Sequence, residues 1–174
     1  MRSVDAVKRL LKGVPVSGYI SLNMGGIGPI NDAAGGIELV PIESVKLGDV
    51  YVKAGEKTVL DGDQAYAYLR ARDINEFGSA DRRLERQKQY ITVFLDKLLN
   101  ENVNVNNIYN AGADYMVASI DIPKLISGAK GMRFDEDHIH TIPGETSERS
   151  GYEWYDTDDD GLLGLIMEVF YEEV

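Results

Sequence analysis

Residues 60–89 read LDGDQAYAYLRARDINEFGSADRRLERQKQ and predict two helices joined by a loop. The first helix is rich in alanine, a strong helix former, and runs from Asp61 or Gly62 to about Ala71. The second helix covers residues 80–100, where apolar side chains recur at helical spacing at Leu84, Ile91, Phe94, Leu95 and Leu98. This helix–loop–helix is the framework for the rest of the fold.

The same stretch concentrates positive charge in a chain whose net charge is -11. Six of its 18 lysines and arginines fall within 19 residues, namely Arg70, Arg72, Arg82, Arg83, Arg86 and Lys88. Guanidinium groups bind phosphate oxygens with two parallel hydrogen bonds, which lysine cannot reproduce. On the predicted second helix, Arg83 and Gln87 share a face, and the loop can bring Arg70 and Arg72 opposite them. The cluster is therefore a candidate cradle for a phosphate-bearing ligand.

An ordinary solvated helix face explains the charge density equally well. Four acidic residues lie in the same window and can form ion pairs with the arginines: Asp73, Glu76, Asp81 and Glu85. Charge alone leaves both interpretations open.

Helices and strands alternate on both sides of this stretch. Upstream, the pattern predicts a helix over 3–12, strands over 16–23 and 37–40, a glycine-rich turn within 24–36 and extended chain over 42–60. Downstream, it predicts helices over 104–119 and 122–129, a strand over 132–142, a polar loop and a terminal helix over 158–171. We therefore expect one α/β domain over residues 1–174, with a mixed central sheet and helices on both faces, an α-β-α sandwich.

Composition narrows the possible functions. The chain of 174 residues has no cysteine, which excludes disulfides, thiolate metal sites and a cysteine nucleophile. It has no apolar run of roughly 20 residues and no signal segment, so no membrane anchor is expected within it. The acidic balance argues against a nucleic-acid partner, which needs a broad basic surface.

Three further motifs receive simpler interpretations. The segment 156–161, DTDDDG, copies the start of an EF-hand loop, but Met167 stands where the last ligand should be, so a capped acidic helix start is favoured. His138 and His140 lack a third ligand and are interpreted as surface histidines. Gly25–Gly28 lacks the lysine of a phosphate loop and is interpreted as a turn. None of these motifs is assigned to a metal.

The spacing of motifs in residues 60–89 resembles the signature of the LytR-CpsA-Psr family, formerly called cell envelope-related transcriptional attenuators. The resemblance rests on LDGDQAYAY at 60–68, RAR at 70–72, EFG at 76–78 and RLERQ at 83–87. GGIE at 35–38 and TIPG at 141–144 extend it over most of the chain.

The resemblance implies a bacterial phosphotransferase that moves a glycopolymer from a polyprenyl-pyrophosphate carrier to peptidoglycan. The resemblance implies a location at the outer face of the cell membrane, with membrane contact through the lipid substrate. The lipid tail would lie in an apolar groove near Ile91 and Phe94. Carried onto this sequence, Arg70, Arg72 and Arg83 would be catalytic. The substrate-binding set would be Arg70, Arg72, Arg83, Arg86, Gln87 and Glu76.

The chain also departs from the family pattern. The family has an upstream Asp-Ser-Arg segment and aspartates that bind Mg²⁺, and neither has a counterpart in this sequence. Glu76 replaces the usual aspartate. We therefore expect the C-terminal portion of the domain, with Mg²⁺ implied by the family but its ligands absent. Enzymatic activity stays an open question. The alternative to an enzyme is a non-catalytic module that binds polyprenyl pyrophosphate or a wall polymer. A third possibility, a transcriptional attenuator, is disfavoured by the acidic charge.

Overall fold

The computed structural model describes residues 2–73, 75–133 and 139–171, and the chain divides into two compact units. The larger unit is Ile20–Ile139, and the smaller unit combines Met1–Tyr19 with His140–Val174. Among the described residues, none of the helices combines the length and apolar character that a membrane span requires.

The larger unit combines helices and short strands, so the α/β class is confirmed. The first helix, α1 (Arg2–Leu10), belongs to the smaller unit. The larger unit contains β1 (Ile20–Leu22), α2 (Ile27–Ala33), β2 (Ile37–Leu39), β3 (Val45–Leu47), β4 (Val50–Val52), β5 (Thr58–Leu60), α3 (Gly62–Arg70), α4 (Ser79–Asn100), α5 (Val105–Gly112), β6 (Met116–Ala118) and α6 (Ile122–Gly128). Two 3₁₀ turns, Met24–Gly26 and Ala113–Tyr115, precede α2 and β6.

The strands pair two by two, and every described pair is antiparallel. In the larger unit β1 pairs with β6, β2 with β5, and β3 with β4. A single mixed central sheet was expected, so the strand pairing differs from the prediction. Each described strand in this unit is three residues long, so a strand pair has few ladder hydrogen bonds. Apolar packing of β2 to β5 against α3 and α4 adds to the stability of these pairs.

Local signals determine where the two central helices begin. Asp61 caps α3 in a reciprocal capping box: its side chain accepts from the Gln64 N–H, and Gln64 accepts from the Asp61 N–H. α4 begins after Gly78, whose φ of 77° lies in the left-handed region that glycine adopts readily. Both helices therefore start within a residue of where the sequence predicts.

Two apolar clusters stabilise the larger unit. One joins β2 and β5 to α3 and includes the fully buried Ile37, Leu60 and Tyr68. The other packs α2 and α5 against the second half of α4, around Leu98 and Leu99. Burial of this apolar surface supplies the main driving force for folding.

α2 lies where the sequence predicted only a glycine-rich turn. It packs closely on α3 because glycines stand at the contact: a Cβ on Gly62 would lie 2.9 Å from Gly28 Cα and 2.6 Å from Asp32 Oδ2. Pro29 lies in the first turn of this short helix, where its missing N–H costs no helical hydrogen bond. The turn interpretation of Gly25–Gly28 therefore holds for Gly25 and Gly26, which lie in a 3₁₀ turn, and was wrong for Ile27 and Gly28, which begin α2.

The smaller unit contains two helices and one hairpin: α1 (Arg2–Leu10), β7 (Gly144–Arg149), β8 (Tyr152–Thr157) and α7 (Asp159–Phe170). Val14, Leu162 and Ile166 form its buried core. Asp158 accepts hydrogen bonds from the N–H groups of Asp160 and Gly161, so the acidic segment caps a helix, as the sequence indicated.

Two further predictions need correction. The helix expected over 104–119 ends at Gly112, because the chain then turns into β6 to pair with β1. The described parts of the strand expected over 132–142, residues 132–133 and 139–142, are not strand, and His138 lies outside the described residues. Part of the expected polar loop is β7, and His140 is exposed.

Candidate functional site

Among the described residues, a polar pocket and an apolar pocket lie beside the helix–loop–helix of α3 and α4. The polar pocket has a volume of about 490 Å³, and the apolar pocket has a volume of about 260 Å³. The six residues predicted to bind the substrate are divided between these pockets and their surroundings.

The polar pocket contains Arg72, Glu76 and Arg86 of the predicted set, together with an ion-pair network that the sequence did not reveal. Glu43 is the centre of this network. Its Oε1 accepts from Arg82 Nε at 3.1 Å, and its Oε2 accepts from Arg86 Nη1. Arg82 Nη2 also lies 2.7 Å from Glu76 Oε2. The carboxylate of Glu76 is thus directed towards Arg82.

Arg86 is buried, and its side chain joins parts of the fold instead of facing the solvent. Only 3% of its surface is exposed. Its Nε donates to the carbonyl of Tyr68 at 2.8 Å, and its Nη2 donates to the carbonyl of Ala71. With Glu43 also bound, the guanidinium fixes the end of α3 and the following residue to α4.

Arg72 follows α3 and is oriented by the start of α4. Its Nε donates to the hydroxyl of Ser79, the first residue of α4, at 3.1 Å. Ser79 is buried, whereas the Arg72 side chain is exposed and lines the polar pocket. The contact with Ser79 orients the guanidinium at the edge of the polar pocket.

The apolar pocket contains Ile91 and Phe94, the two residues that the resemblance placed near a lipid groove. Gln87 contributes a side-chain amide to the wall of this pocket. The Nε2 of Gln87 donates to the carbonyl of Leu69 at 3.1 Å. The complete lining is Leu22, Met24, Ile27, Ile30, Leu69, Gln87, Tyr90, Ile91 and Phe94. Such a surface suits a hydrocarbon chain.

Arg70 contacts one lining residue of this apolar pocket, and Arg83 lies one helical turn from another. Arg70 is the last residue of α3, and its Nη1 lies 3.5 Å from the sulfur of Met24, a lining residue. Arg83 precedes Gln87 by one helical turn on the same face of α4. Within the described ranges, the half-buried Arg83 guanidinium has no hydrogen bond or ion pair. It is therefore available to an anionic ligand.

Buried tyrosines support the two helices from behind. Tyr68 donates to Gln89 Oε1 at 2.6 Å and accepts from the Ile42 N–H at 3.0 Å. Tyr90 donates to Asn31 Oδ1 at 3.0 Å. Burial raises the pKa of both phenols, so both stay neutral at physiological pH. Their role is to hold α4 against its neighbours.

The described residues do not form a set of ligands suited to Mg²⁺. No group of three or more histidine, aspartate or glutamate side chains in residues 2–73, 75–133 and 139–171 is placed to hold a metal. The acids of the polar pocket already have partners: Glu43 and Glu76 bind arginines, and Asp73 accepts from Asn75. Asp156 and Asp158, from the EF-hand-like segment, are engaged in the hairpin and the helix cap.

Sequence reasoning missed Glu43, counted Arg82 only as a member of the arginine cluster, and gave Ser79 no role. Glu43 pairs with residues 39 and 43 positions away, and no local spacing encodes such a contact. Glu43 lies just before β3, in a part of the sequence that has no arginine between Arg9 and Arg70, so no sequence signal pointed to its role.

Comparison with known proteins identifies the family of the chain. The model of the LytR_cpsA_psr family matches residues 2–166. A polyisoprenyl-teichoic acid–peptidoglycan teichoic acid transferase TagU from Enterococcus faecalis is 34% identical over 116 residues, which are 66% of this chain and 37% of that protein. A protein of the same name from Halalkalibacterium halodurans is 28% identical over 111 residues, 64% of this chain and 34% of the relative. The chain thus spans about a third of the length of these relatives.

Solved structures share the fold. The crystal structure of B. subtilis TagV superposes with a TM-score of 0.75 at 22% identity, covering 95% of this chain and 68% of TagV. A structure of TagT bound to LI-WTA superposes with a TM-score of 0.66 at 18% identity, covering 95% of this chain and 64% of TagT. Because the family model extends over nearly the whole sequence, the chain belongs to the LytR-CpsA-Psr family.

Proposed function

We propose that this chain binds a glycopolymer linked to polyprenyl pyrophosphate and takes part in its transfer to peptidoglycan at the cell envelope. The observation that carries the proposal is the apolar pocket with Gln87 in its wall, Arg70 in contact with its lining and Arg83 one turn away. A polyprenyl pyrophosphate has the matching chemistry, an apolar tail joined to a compact anionic head. Two relatives that bear the name of teichoic acid transferases support the same substrate class.

The arginines are suited to the charge changes of phosphoryl transfer. In such reactions the protein mainly positions the phosphate and stabilises charge that develops on its oxygens. Arg70 and Arg83 would hold the pyrophosphate at the entrance of the apolar pocket. Arg72, fixed by Ser79, would present a further guanidinium on the polar side of the loop. Because the described acids do not form a Mg²⁺ site, no step is assigned to a metal.

The test is binding of farnesyl pyrophosphate, measured by isothermal titration calorimetry. We expect Arg83→Ala to weaken binding by roughly tenfold or more, because one charge-assisted contact to phosphate is lost. Lys88→Ala is the matched control, since it removes a cation of the same helix that is paired with Glu85, and it should bind like the unmodified chain.

Farnesol separates the contribution of the head group from that of the tail. It should bind much more weakly than farnesyl pyrophosphate. Equal binding of the two ligands, or unchanged affinity in Arg83→Ala, would contradict the assignment of the arginines.

A non-catalytic binding module is the second candidate. The observation that favours it is the pairing of Glu43 and Glu76 with arginines, which leaves these carboxylates committed to ion pairs. A transfer assay with lipid-linked glycan, peptidoglycan and Mg²⁺ distinguishes the enzyme from the binding module. Binding without transfer supports the module, and transfer that depends on Arg83 supports the enzyme.

A further inference from the structure

One face of the β7–β8 hairpin presents aromatic rings to solvent, and the function proposed above does not use it. Side chains alternate between the two faces of a strand, so cross-strand partners share a face. The register places three residues of β7 opposite three of β8 on this face: Glu145 opposite Asp156, Ser147 opposite Trp154, and Arg149 opposite Tyr152. These six residues are termed the hairpin face.

The two aromatic residues of the hairpin face are largely exposed. Tyr152 is 72% exposed and Trp154 is 54% exposed. They lie two residues apart on β8, so their Cα atoms are separated by about 7 Å along the strand. Side-by-side exposed rings are not stabilised by core packing, and adjacent exposed apolar groups often mark a binding surface.

The polar residues of the hairpin face are held in fixed positions. The Arg149 guanidinium lies 5.9 Å from the centre of the Trp154 ring and binds the Asp156 carboxylate. The Ser147 hydroxyl donates to Asp156 Oδ2 at 2.7 Å. These contacts, with the Ser147 hydrogen bond contributing most, lower the pKa of Asp156, so its carboxylate is charged at neutral pH. A ligand therefore meets an ordered donor and an ordered acceptor beside the rings.

The surrounding charge argues against an anionic ligand. Residues 144–160 contain seven acidic residues and one basic residue, Arg149. A phosphate-rich polymer or an anionic lipid surface would be repelled by this concentration of carboxylates. The ligand is therefore neutral or cationic.

The size of the hairpin face argues against a folded protein partner. Two strands of six residues cover roughly 20 Å by 10 Å, or about 200 Å². A stable protein interface buries about 800 Å² on each side. A thin, chain-like ligand fits this surface better.

We propose that the hairpin face binds a neutral oligosaccharide. A pyranose ring has an apolar C–H face, which stacks on an aromatic ring, and a rim of hydroxyl groups. In this arrangement sugar rings stack on Tyr152 and Trp154, while Arg149 donates to hydroxyl oxygens and Asp156 accepts from hydroxyl groups. The site needs neither a lipid nor a phosphate, so it stands or falls independently of the proposed transfer activity.

Trp154 makes the proposal directly measurable, because it is the one tryptophan of the chain. Titration with chitotetraose, a neutral oligosaccharide, should change its fluorescence to saturation. Binding should be insensitive to added salt, because no net charge is neutralised. Tyr152→Ala should weaken binding roughly fivefold, the loss expected for one aromatic contact. Tyr51→Ala, which removes an exposed tyrosine from the β3–β4 hairpin, should leave binding unchanged.

Three results would overturn the proposal. They are no change in fluorescence at millimolar chitotetraose, equal affinity in Tyr152→Ala, and preferential binding of dextran sulfate or polylysine. Tyr152→Leu covers the case in which Tyr152→Ala fails to fold, because it keeps apolar bulk but lacks a ring face. It should weaken binding as much as the alanine variant, and unimpaired binding in it would also contradict the proposal.

Discussion

Two arginines three positions apart on α4 show how the same side chain takes different roles. Arg86 is buried and binds two carbonyls and Glu43. Arg83 is half-buried, and its guanidinium has no hydrogen bond or ion pair in the part of the chain that the structure describes. The difference comes from the geometry of the helix. Residues three positions apart differ in direction by about 60° around the helix axis, so Arg86 faces α3 and Arg83 lies nearer the solvent.

Arg86→Ala should lower the free energy of unfolding by about 3–5 kcal/mol, because Glu43 and two carbonyls lose a buried partner. Urea unfolding followed by circular dichroism measures this change. Arg83→Ala is the control and should change stability by no more than about 0.5 kcal/mol. If both variants were equally stable, the structural role of Arg86 would be refuted.

At the level of elements, α3 determines where Arg70 and Arg72 lie. The helix starts at the Asp61–Gln64 capping box, and Arg86 binds the carbonyls of Tyr68 and Ala71 at its end. Both ends are thus fixed by specific hydrogen bonds. The element works as a short rigid support for the arginines that follow it.

Asp61→Ala should lower the free energy of unfolding by about 1 kcal/mol, the usual cost of losing an N-cap. Asp63→Ala removes an exposed acid from the first turn of the same helix without touching the cap, and should cost about 0.3–0.5 kcal/mol through the helix dipole. Urea unfolding of both variants provides the comparison. A larger loss in Asp63→Ala would contradict the capping role.

The sequence predicted some elements well and others poorly, for physical reasons. α3 and α4 have local signals, a capping box and a long apolar period, and their ends are within one residue of prediction. β6 exists because it pairs with β1, nearly a hundred residues earlier, and no local pattern encodes that contact. Some residues of the candidate site could likewise be predicted from local sequence, and others could not. The motif spacing pointed to Arg70 and Gln87, whereas Glu43 acts through partners far away in sequence.

At the level of the whole molecule, negative charge dominates and the arginines form a local exception. A net charge of -11 repels large polyanions from most of the surface. A single pyrophosphate is small enough to be held by the few guanidinium groups near the α3–α4 loop. The charge distribution thus makes the α3–α4 loop the part of the surface best suited to a compact anionic head group.

Buried phenols make the stability of the chain sensitive to high pH. Burial raises the pKa of Tyr68 and Tyr90 in the folded state, whereas tyrosines in the unfolded chain ionise near pH 10. The unfolded state therefore loses protons first, so the contribution of these groups is complete below pH 10 and is lost as the pH rises above it.

We expect the free energy of unfolding to fall above pH 10 by up to about 1.4 kcal/mol per pH unit for each buried tyrosine. Urea unfolding at a series of pH values between 8 and about 11 measures the slope, with the values below pH 10 as the internal baseline. Tyr90→Phe should show a shallower decline. An identical slope in that variant would show that Tyr90 does not contribute.

The buried position of Arg86 has a consequence for how such a chain would diverge. Natural selection acts on Arg86 through foldability, and on Arg83 through the ligand that we propose it holds. A descendant that stopped binding the ligand would be free to lose Arg83, but it would still lose stability without Arg86. Within the RLERQ motif, we therefore expect the first arginine to be kept only while the site binds its ligand. The second would be kept because it stabilises the fold.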